Sequence, residues 1–204
     1  MGMKVIIFDD HKLFGSVLKT ALQQEIEIEF VEYIANEQGL YELLETTDNV
    51  ILLLDINLKK IGIEDSFQFA KELLNEKGNT KIVFLSAYNL PLYIRKAHAI
   101  GASGFFSKDV LLPDLMKGLR IIELGGSVFR QESTDFLENL TLAETKVLKL
   151  ASKGMRRDEI AEELNISNRT VGRHLENIFD KLQAKNITEA VSIALENGYI
   201  PPIV

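Results

Sequence analysis

Val50-Ile-Leu-Leu-Leu-Asp55 is five consecutive apolar residues stopped by an acid, and its reading decides the fold. A short apolar run bounded by turn signals is the pattern of a strand buried on both faces. In an open parallel sheet, ligands bind just beyond the carboxyl ends of such strands. A second run, Val5-Ile-Ile-Phe8, ends in Asp9 and Asp10. Asp9, Asp10 and Asp55 are therefore expected to converge on one small cleft. Like charges that close raise one another's pKa unless something neutralises them, and a hard divalent cation held by oxygen ligands is the usual neutraliser. The pattern predicts Mg²⁺ beside a reactive aspartate.

Outward from these runs, residues 4–124 alternate strand-like and helix-like segments as βαβ units do. Strands are predicted near 4–8, 27–33, 50–54, 81–86 and 103–107. The stretches between them carry apolar residues at helical spacing, such as Leu18, Ala21 and Leu22, or Leu115, Leu119 and Ile122. Pro91 and Pro113 mark two helix starts. The first domain, 1–124, is thus an α/β sandwich of five βα units. Gly125-Gly-Ser127 ends the alternation, and 125–139 reads as a linker with room for a short helix.

Beyond the linker the strand signal disappears. Thr141 and Glu144 have capping-box spacing for a helix through 150; 157–164 is a second helix, Ser167 opens a third to 182, and Asn186 with Glu189 opens a fourth. Only Asn165-Ile166 separates the second helix from Ser167, which is helix-turn-helix spacing. Residues 140–204 form a second, all-α four-helix domain.

The chain has 204 residues, 46% hydrophobic and 26% charged, which fits a globular protein of one or two domains. It has no cysteine, which excludes a disulfide framework and thiolate chemistry. No apolar run approaches the roughly 18 residues of a membrane span, and no signal peptide precedes the first strand. A cytoplasmic protein with no membrane partner is expected. Residues 1–139 carry 14 Lys and Arg against 21 Asp and Glu, a net of −7, whereas 140–204 carry 9 of each. The acidic part is unsuited to polyanions.

Two more residues complete the first site. Ser86 ends the fourth predicted strand and Lys108 the fifth, so one sheet edge presents three carboxylates, a hydroxyl and an ammonium. Phosphoryl transfer needs such a set: an oxygen nucleophile, a metal, and fixed donors for the remaining oxygens. Asp55 is the candidate nucleophile, forming an aspartyl phosphate. A lone acid of this kind is commonly a solvated loop residue or helix cap, but five matched residues at strand ends are not. His11 reads as a loop or capping residue and His98 as a solvated helix residue.

At Phe8-Asp-Asp-His11, Leu54-Asp-Ile56, Leu85-Ser-Ala87 and Gly101-Ala-Ser-Gly-Phe-Phe-Ser-Lys-Asp109 the chain resembles the receiver domains of two-component response regulators. The resemblance implies a flavodoxin-like (βα)5 fold, Asp55 as phosphoacceptor, and Mg²⁺ held by Asp10, by Asp9 through water, by Asp55 and by the Asn57 carbonyl. It also implies Lys108 on the phosphoryl group, Ser86 as the switch hydroxyl, Phe105 as the coupled aromatic, and a sensor histidine kinase as partner. Residues 57–66 depart from the pattern: the usual Met-Pro and Asp-Gly turn is missing and the loop is longer.

Residues 140–204 resemble the LuxR-type DNA-binding domain of the NarL/FixJ subfamily, through Leu140-Thr-x-x-Glu144, Gly154, Glu159-Ile-Ala161, Thr170-Val171, His174 and Lys181-Leu182. Val171, Leu175, Ile178 and Leu182 share one face of the third helix and should pack inward. Asn168, Arg169, Gly172, Arg173, Glu176 and Asn177 are expected on the opposite face, free for a major groove of double-stranded promoter DNA. Arg173 is the expected base reader; Arg156, Arg157 and Thr170 are expected phosphate contacts. Gly172, Glu176 and Ile187 depart from the family's usual residues.

Together these features describe a non-enzymatic transcription regulator, homodimeric when phosphorylated. The alternative is a phosphorylation-independent DNA- or protein-binding regulator of the same fold. A haloacid dehalogenase-type phosphatase would need a second acid two residues after the nucleophile, where this chain has Asn57.

Overall fold

The structure, a computed structural model, describes residues 2–129 and 140–200. The chain divides into two compact units, one α/β and one helical. In the first, five strands alternate with five helices: β1 (Met3–Phe8), α1 (Lys12–Leu22), β2 (Ile28–Ile34), α2 (Glu37–Thr46), β3 (Val50–Asp55), α3 (Ser66–Glu76), β4 (Lys81–Ser86), α4 (Pro91–Ala99), β5 (Gly104–Ser107) and α5 (Leu112–Glu123). All strands are parallel in the order β2-β1-β3-β4-β5. Each predicted strand is present to within a residue or so at its ends.

The central strands are apolar on both faces because both are covered. Ile6, Phe8, Leu52, Leu54, Ile82 and Phe84 pack with Leu40, Leu44, Phe69, Ala70, Leu73, Ile94 and Ala97 of α2, α3 and α4. The alternate residues Val5, Ile7, Ile51, Leu53, Val83 and Leu85 pack with Leu22 of α1 and Leu115, Leu119 and Ile122 of α5. Side chains along a strand alternate between faces, so one uninterrupted apolar run supplies two cores.

The chain past α5 remains fastened to the sheet. Val128 bridges Gly104 in parallel register; its N–H donates to the Ser103 carbonyl at 2.9 Å and its carbonyl accepts from Phe105 N–H at 3.0 Å. The linker expected from 125 therefore begins with residues tied to β5. The rest of that linker, 130–139, where room for a short helix was expected, lies outside the described residues, as do 201–204.

The helical unit comprises α6 (Leu142–Ser152), α7 (Arg157–Glu163), α8 (Asn168–Leu182) and α9 (Ile187–Asn197). Val147, Leu148, Ile160, Val171, Ile178, Leu182, Ala190 and Ala194 form its core. The expected caps are present: Thr141 Oγ1 accepts from Glu144 N–H, Ser167 Oγ from Thr170 N–H and Asn186 Oδ1 from Glu189 N–H. Among the described residues, no helix is long and apolar enough to cross a membrane.

Glu144 does more than cap. It is buried, and Oε2 accepts both from Thr141 N–H at 2.7 Å and from Lys181 Nζ of α8 at 2.8 Å. Burial pushes its pKa up, but Lys181 and the Thr141 donors outweigh that and hold it below the ordinary value. Its contribution is thus fully present above the unfolded carboxyl pKa and is lost as pH falls through the lower folded-state value. Glu144→Ala strands the Thr141 N–H and removes the buried ion pair that joins α6 to Lys181 of α8. It should destabilise the helical unit by about 3 kcal/mol at pH 7 and by less under acid conditions, measured by urea unfolding at both pH values.

Candidate functional site

The parallel register brings the acids together. Phe8 pairs with Leu54 across β1 and β3, so Asp9 follows its partner strand level with Asp55. Asp55 pairs with Leu85, which sets Ser86 one step further, and Ser86 pairs with Ser107, which sets Lys108 beyond that. All five strand-end residues expected at the site are thus gathered at one sheet edge. A small residue sharpens the placement: a Cβ on Gly15 would lie 2.8 Å from Tyr33 Cζ, so only glycine in α1 lets that ring lie close, and the Tyr33 hydroxyl donates to the Asp9 carbonyl at 3.1 Å.

Lys108 Nζ lies 2.7 Å from Asp9 Oδ2 and 3.0 Å from Asp55 Oδ2, and 4.7 Å from the centre of the Phe14 ring. Its backbone N–H donates to the Ser86 carbonyl at 2.7 Å. Ser86 is buried and its Oγ accepts from Tyr88 N–H at 3.0 Å. Phe105 is buried in the core facing α2, α3 and α4.

Burial chiefly, and then the Asp9 charge, push the Asp55 pKa up to about 6, against the lowering effect of Lys108 and of a backbone hydrogen bond from Asn57. The cleft holds more negative charge than its one ammonium offsets. Both Asp10 oxygens are buried and accept no hydrogen bond; His11 Nδ1 approaches Oδ1 to 2.7 Å, but off hydrogen-bond geometry. One ligand atom from each of Asp9, Asp10, His11 and Asp55 lies within 4.8 Å of the others. Unpartnered buried carboxylate oxygens at that spacing fit a hard divalent cation.

His11 is the residue that sequence reasoning left out. Its backbone N–H donates to Asp9 Oδ1 at 2.8 Å, and although it occupies the N-cap position of α1, its side chain makes no cap bond. The ring turns toward the acids instead. The atypical loop also reaches the cleft. Leu58 and Ile63 are buried, a single 3-10 turn spans Lys59–Ile61, Gly62 follows at φ +89°, and the Ser66 hydroxyl donates to the Ile56 carbonyl at 2.7 Å. This places Lys60 Nζ 3.3 Å from His11 Nε2.

In the helical unit, Val171, Ile178 and Leu182 are buried and Leu175 half-buried, as expected of the inward face of α8. Asn168, Arg169, Arg173, Glu176 and Asn177 are exposed. Gly172 is not: it is buried, because the Arg157 guanidinium lies across it. The expectation of Gly172 on the open face is corrected. Arg156 is drawn to Glu159 at 3.5 Å, with Asp158 at 4.0 Å, and the Thr170 hydroxyl lies 2.8 Å from that of Ser167.

Residues 5–120 match the family model described as the response regulator receiver domain, and 138–194 match that of bacterial regulatory proteins of the luxR family. The Fimbriae Z protein of Salmonella typhimurium is 31% identical over 202 residues, covering 93% of this chain and 95% of that protein. The transcriptional regulatory protein YvfU of Bacillus subtilis, itself uncharacterized, is 31% identical over 203 residues, covering 97% and 100%. Among solved structures, RcsB from Salmonella enterica serovar Typhimurium, bound to promoter rprA in the presence of phosphomimetic BeF3−, is 25% identical. It superposes with a TM-score of 0.64 over 96% of this chain and 99% of that one.

The raised Asp55 pKa has a consequence for stability. The carboxyl pKa is raised from 3.8 to about 6 on folding, so this one group's contribution to stability is lost as pH rises through that window, by about 3 kcal/mol. In EDTA at pH 7.5, Asp55→Asn should therefore raise the melting temperature, and the gain should vanish below pH 4. A gain that persists unchanged at pH 4 would assign it to something other than the charge.

Proposed function

Because this chain belongs to the two-component response regulators that join a receiver domain to a LuxR-type DNA-binding domain, we propose that phosphorylation of Asp55 by a sensor histidine kinase controls its binding to promoter DNA. The observation that carries this reading is the convergence of Asp9, Asp10, Asp55 and Lys108 at one sheet edge. A carboxylate that is buried but not fully neutralised has an oxygen to spare for an incoming phosphoryl group.

In this reading Asp9, Asp10, Asp55 and the Asn57 carbonyl hold Mg²⁺, which supplies charge neutralisation between carboxylates and phosphoryl oxygens. Lys108 already touches Asp55, so it needs only to shift from carboxylate to phosphoryl oxygen. The Ser86 hydroxyl, released from the Tyr88 N–H, turns to the same group, and Phe105 repacks in the core behind it. The chain helps its own phosphorylation and dephosphorylation but is not otherwise an enzyme. It acts in the cytoplasm, as a homodimer once phosphorylated.

At the DNA end, Arg169 and Arg173 are exposed on α8 and, among the described residues, no carboxylate lies within ion-pair distance of either. Arg173 lies about 200° around the helix from the buried Val171, so it points to the groove floor and reads a base edge. Asn177, one turn on, shares its face, and Asn168 opens the helix.

Two experiments test these roles. Wild type should take up one acid-labile phosphoryl group from acetyl phosphate only with a divalent cation, and Asp55→Asn should take up none; equal labelling of both would refute the phosphoacceptor. Arg173→Ala should reduce discrimination between a selected site and a scrambled duplex by roughly 1 to 3 kcal/mol. Equal weakening on both duplexes would show that another residue reads the bases.

A further inference from the structure

Gly172 is the fifth residue of α8, inside the helix, where glycine is the poorest helix former after proline. It is buried although it has no side chain to bury. What covers it is the end of Arg157: a Cβ built on Gly172 would lie 2.8 Å from Arg157 Cζ and 3.4 Å from Nε, with Nη2 closer still. The plane of the guanidinium therefore rests on the bare Cα of the next helix. Arg157 itself is exposed, and among the described residues no carboxylate pairs with it, although Arg156 beside it is drawn to Asp158 and Glu159. Among the described residues its N–H groups meet no ion-pair acceptor, so they are left for one from outside.

The position on the helix says which acceptor. One residue on from the buried Val171, Gly172 lies about 100° around α8, on the flank between the core face and the outward Arg173. When the outward face of a helix enters a major groove, its flanks run beside the sugar-phosphate walls. A side chain at 172 would have to grow from the helix itself. Here the charge at that place comes from the start of α7 instead, with one face already seated and fewer rotamers left to lose on binding.

We propose that Gly172 is a DNA-binding determinant without a side chain, the seat from which Arg157 contacts a DNA phosphate. This rests on the DNA-binding reading given above and extends it to a residue that cannot itself touch DNA through a side chain. Arg157 and Gly172 form one unit, so the loss of either should remove the same contact.

The test is a double-mutant cycle in the full-length protein, with Gly172→Ala, Arg157→Ala and the pair measured by salt titration on a selected site and a scrambled duplex. The methyl group displaces only the tip of a flexible side chain, so Gly172→Ala should keep or raise the melting temperature, since alanine favours the helix. Its DNA affinity should nevertheless fall about tenfold on both duplexes, with a salt slope lower by about one, as in Arg157→Ala. The double variant should bind no more weakly than Arg157→Ala alone. Wild-type affinity and slope in Gly172→Ala, or losses that multiply in the double variant, would overturn the seat. Were Gly172→Ala to unfold, Arg157→Gln decides the matter: an unchanged slope overturns the proposal and a slope lower by about one supports it. A wild-type chain that bound no duplex after selection from a random pool would overturn the DNA-binding reading itself.

Discussion

A single ammonium shared between carboxylates organises the α/β unit. Lys108 reaches both Asp9 and Asp55 from the end of β5, and neither acid is exposed enough for water to do the same work. Coulomb repulsion between buried like charges grows as the local dielectric falls, so acids at this separation persist only where the scaffold over-determines their positions. The determinants are visible: parallel strands whose register aligns Phe8, Leu54 and Leu85 beside the site, the Tyr33 hydroxyl on the Asp9 carbonyl, and the Lys108 N–H on the Ser86 carbonyl. The cost is local: burial beside Asp9 leaves the Asp55 carboxyl harder to ionise.

Much of this was legible in the sequence because strand-end acids and doubly buried strands leave strong local signals. Val50 to Asp55 needs no knowledge of the rest of the chain to be read as a buried strand with an acid at its exit. His11 was harder. Its place in the cleft depends on which way a side chain turns at the start of α1, and the spacing of metal-ligating histidines gives no hint of it. The signal available was adjacency alone, one residue after Asp10. Phe14 beneath the Lys108 ammonium and Tyr33 over Gly15 were illegible for a similar reason: each is a contact between elements whose orientation only the packed sheet defines. In α8 the apolar stripe was read correctly from its period, but Gly172 was assigned by helical angle alone. The reach of an arginine from a neighbouring helix is invisible to that geometry.

The helical unit solves a related problem in the opposite way. Glu144 is as buried as Asp55, yet its donors are sufficient, and burial there ends in a lowered rather than a raised pKa. The contrast is chemical. A carboxylate with one oxygen taking both a cap N–H and a lysine joins α6 to α8. A carboxylate with an unfilled oxygen beside other acids is available to react.

The pairing of Val128 with Gly104 bears on how the chain can be divided. With β2 at one border of the sheet, β5 forms the other, and the residues just after α5 cover part of its open hydrogen-bonding groups. The β2 border carries Glu29 and Glu32, charges that discourage another strand from adding there. The β5 border, Gly-Phe-Phe-Ser, carries no such guard. A receiver fragment ended at 124, where the helical pattern stops, would bare an apolar edge next to two phenylalanines and invite strand addition between molecules. Ending it after Phe129 keeps that edge capped, so the natural cut lies in sequence that looks like linker and behaves as sheet.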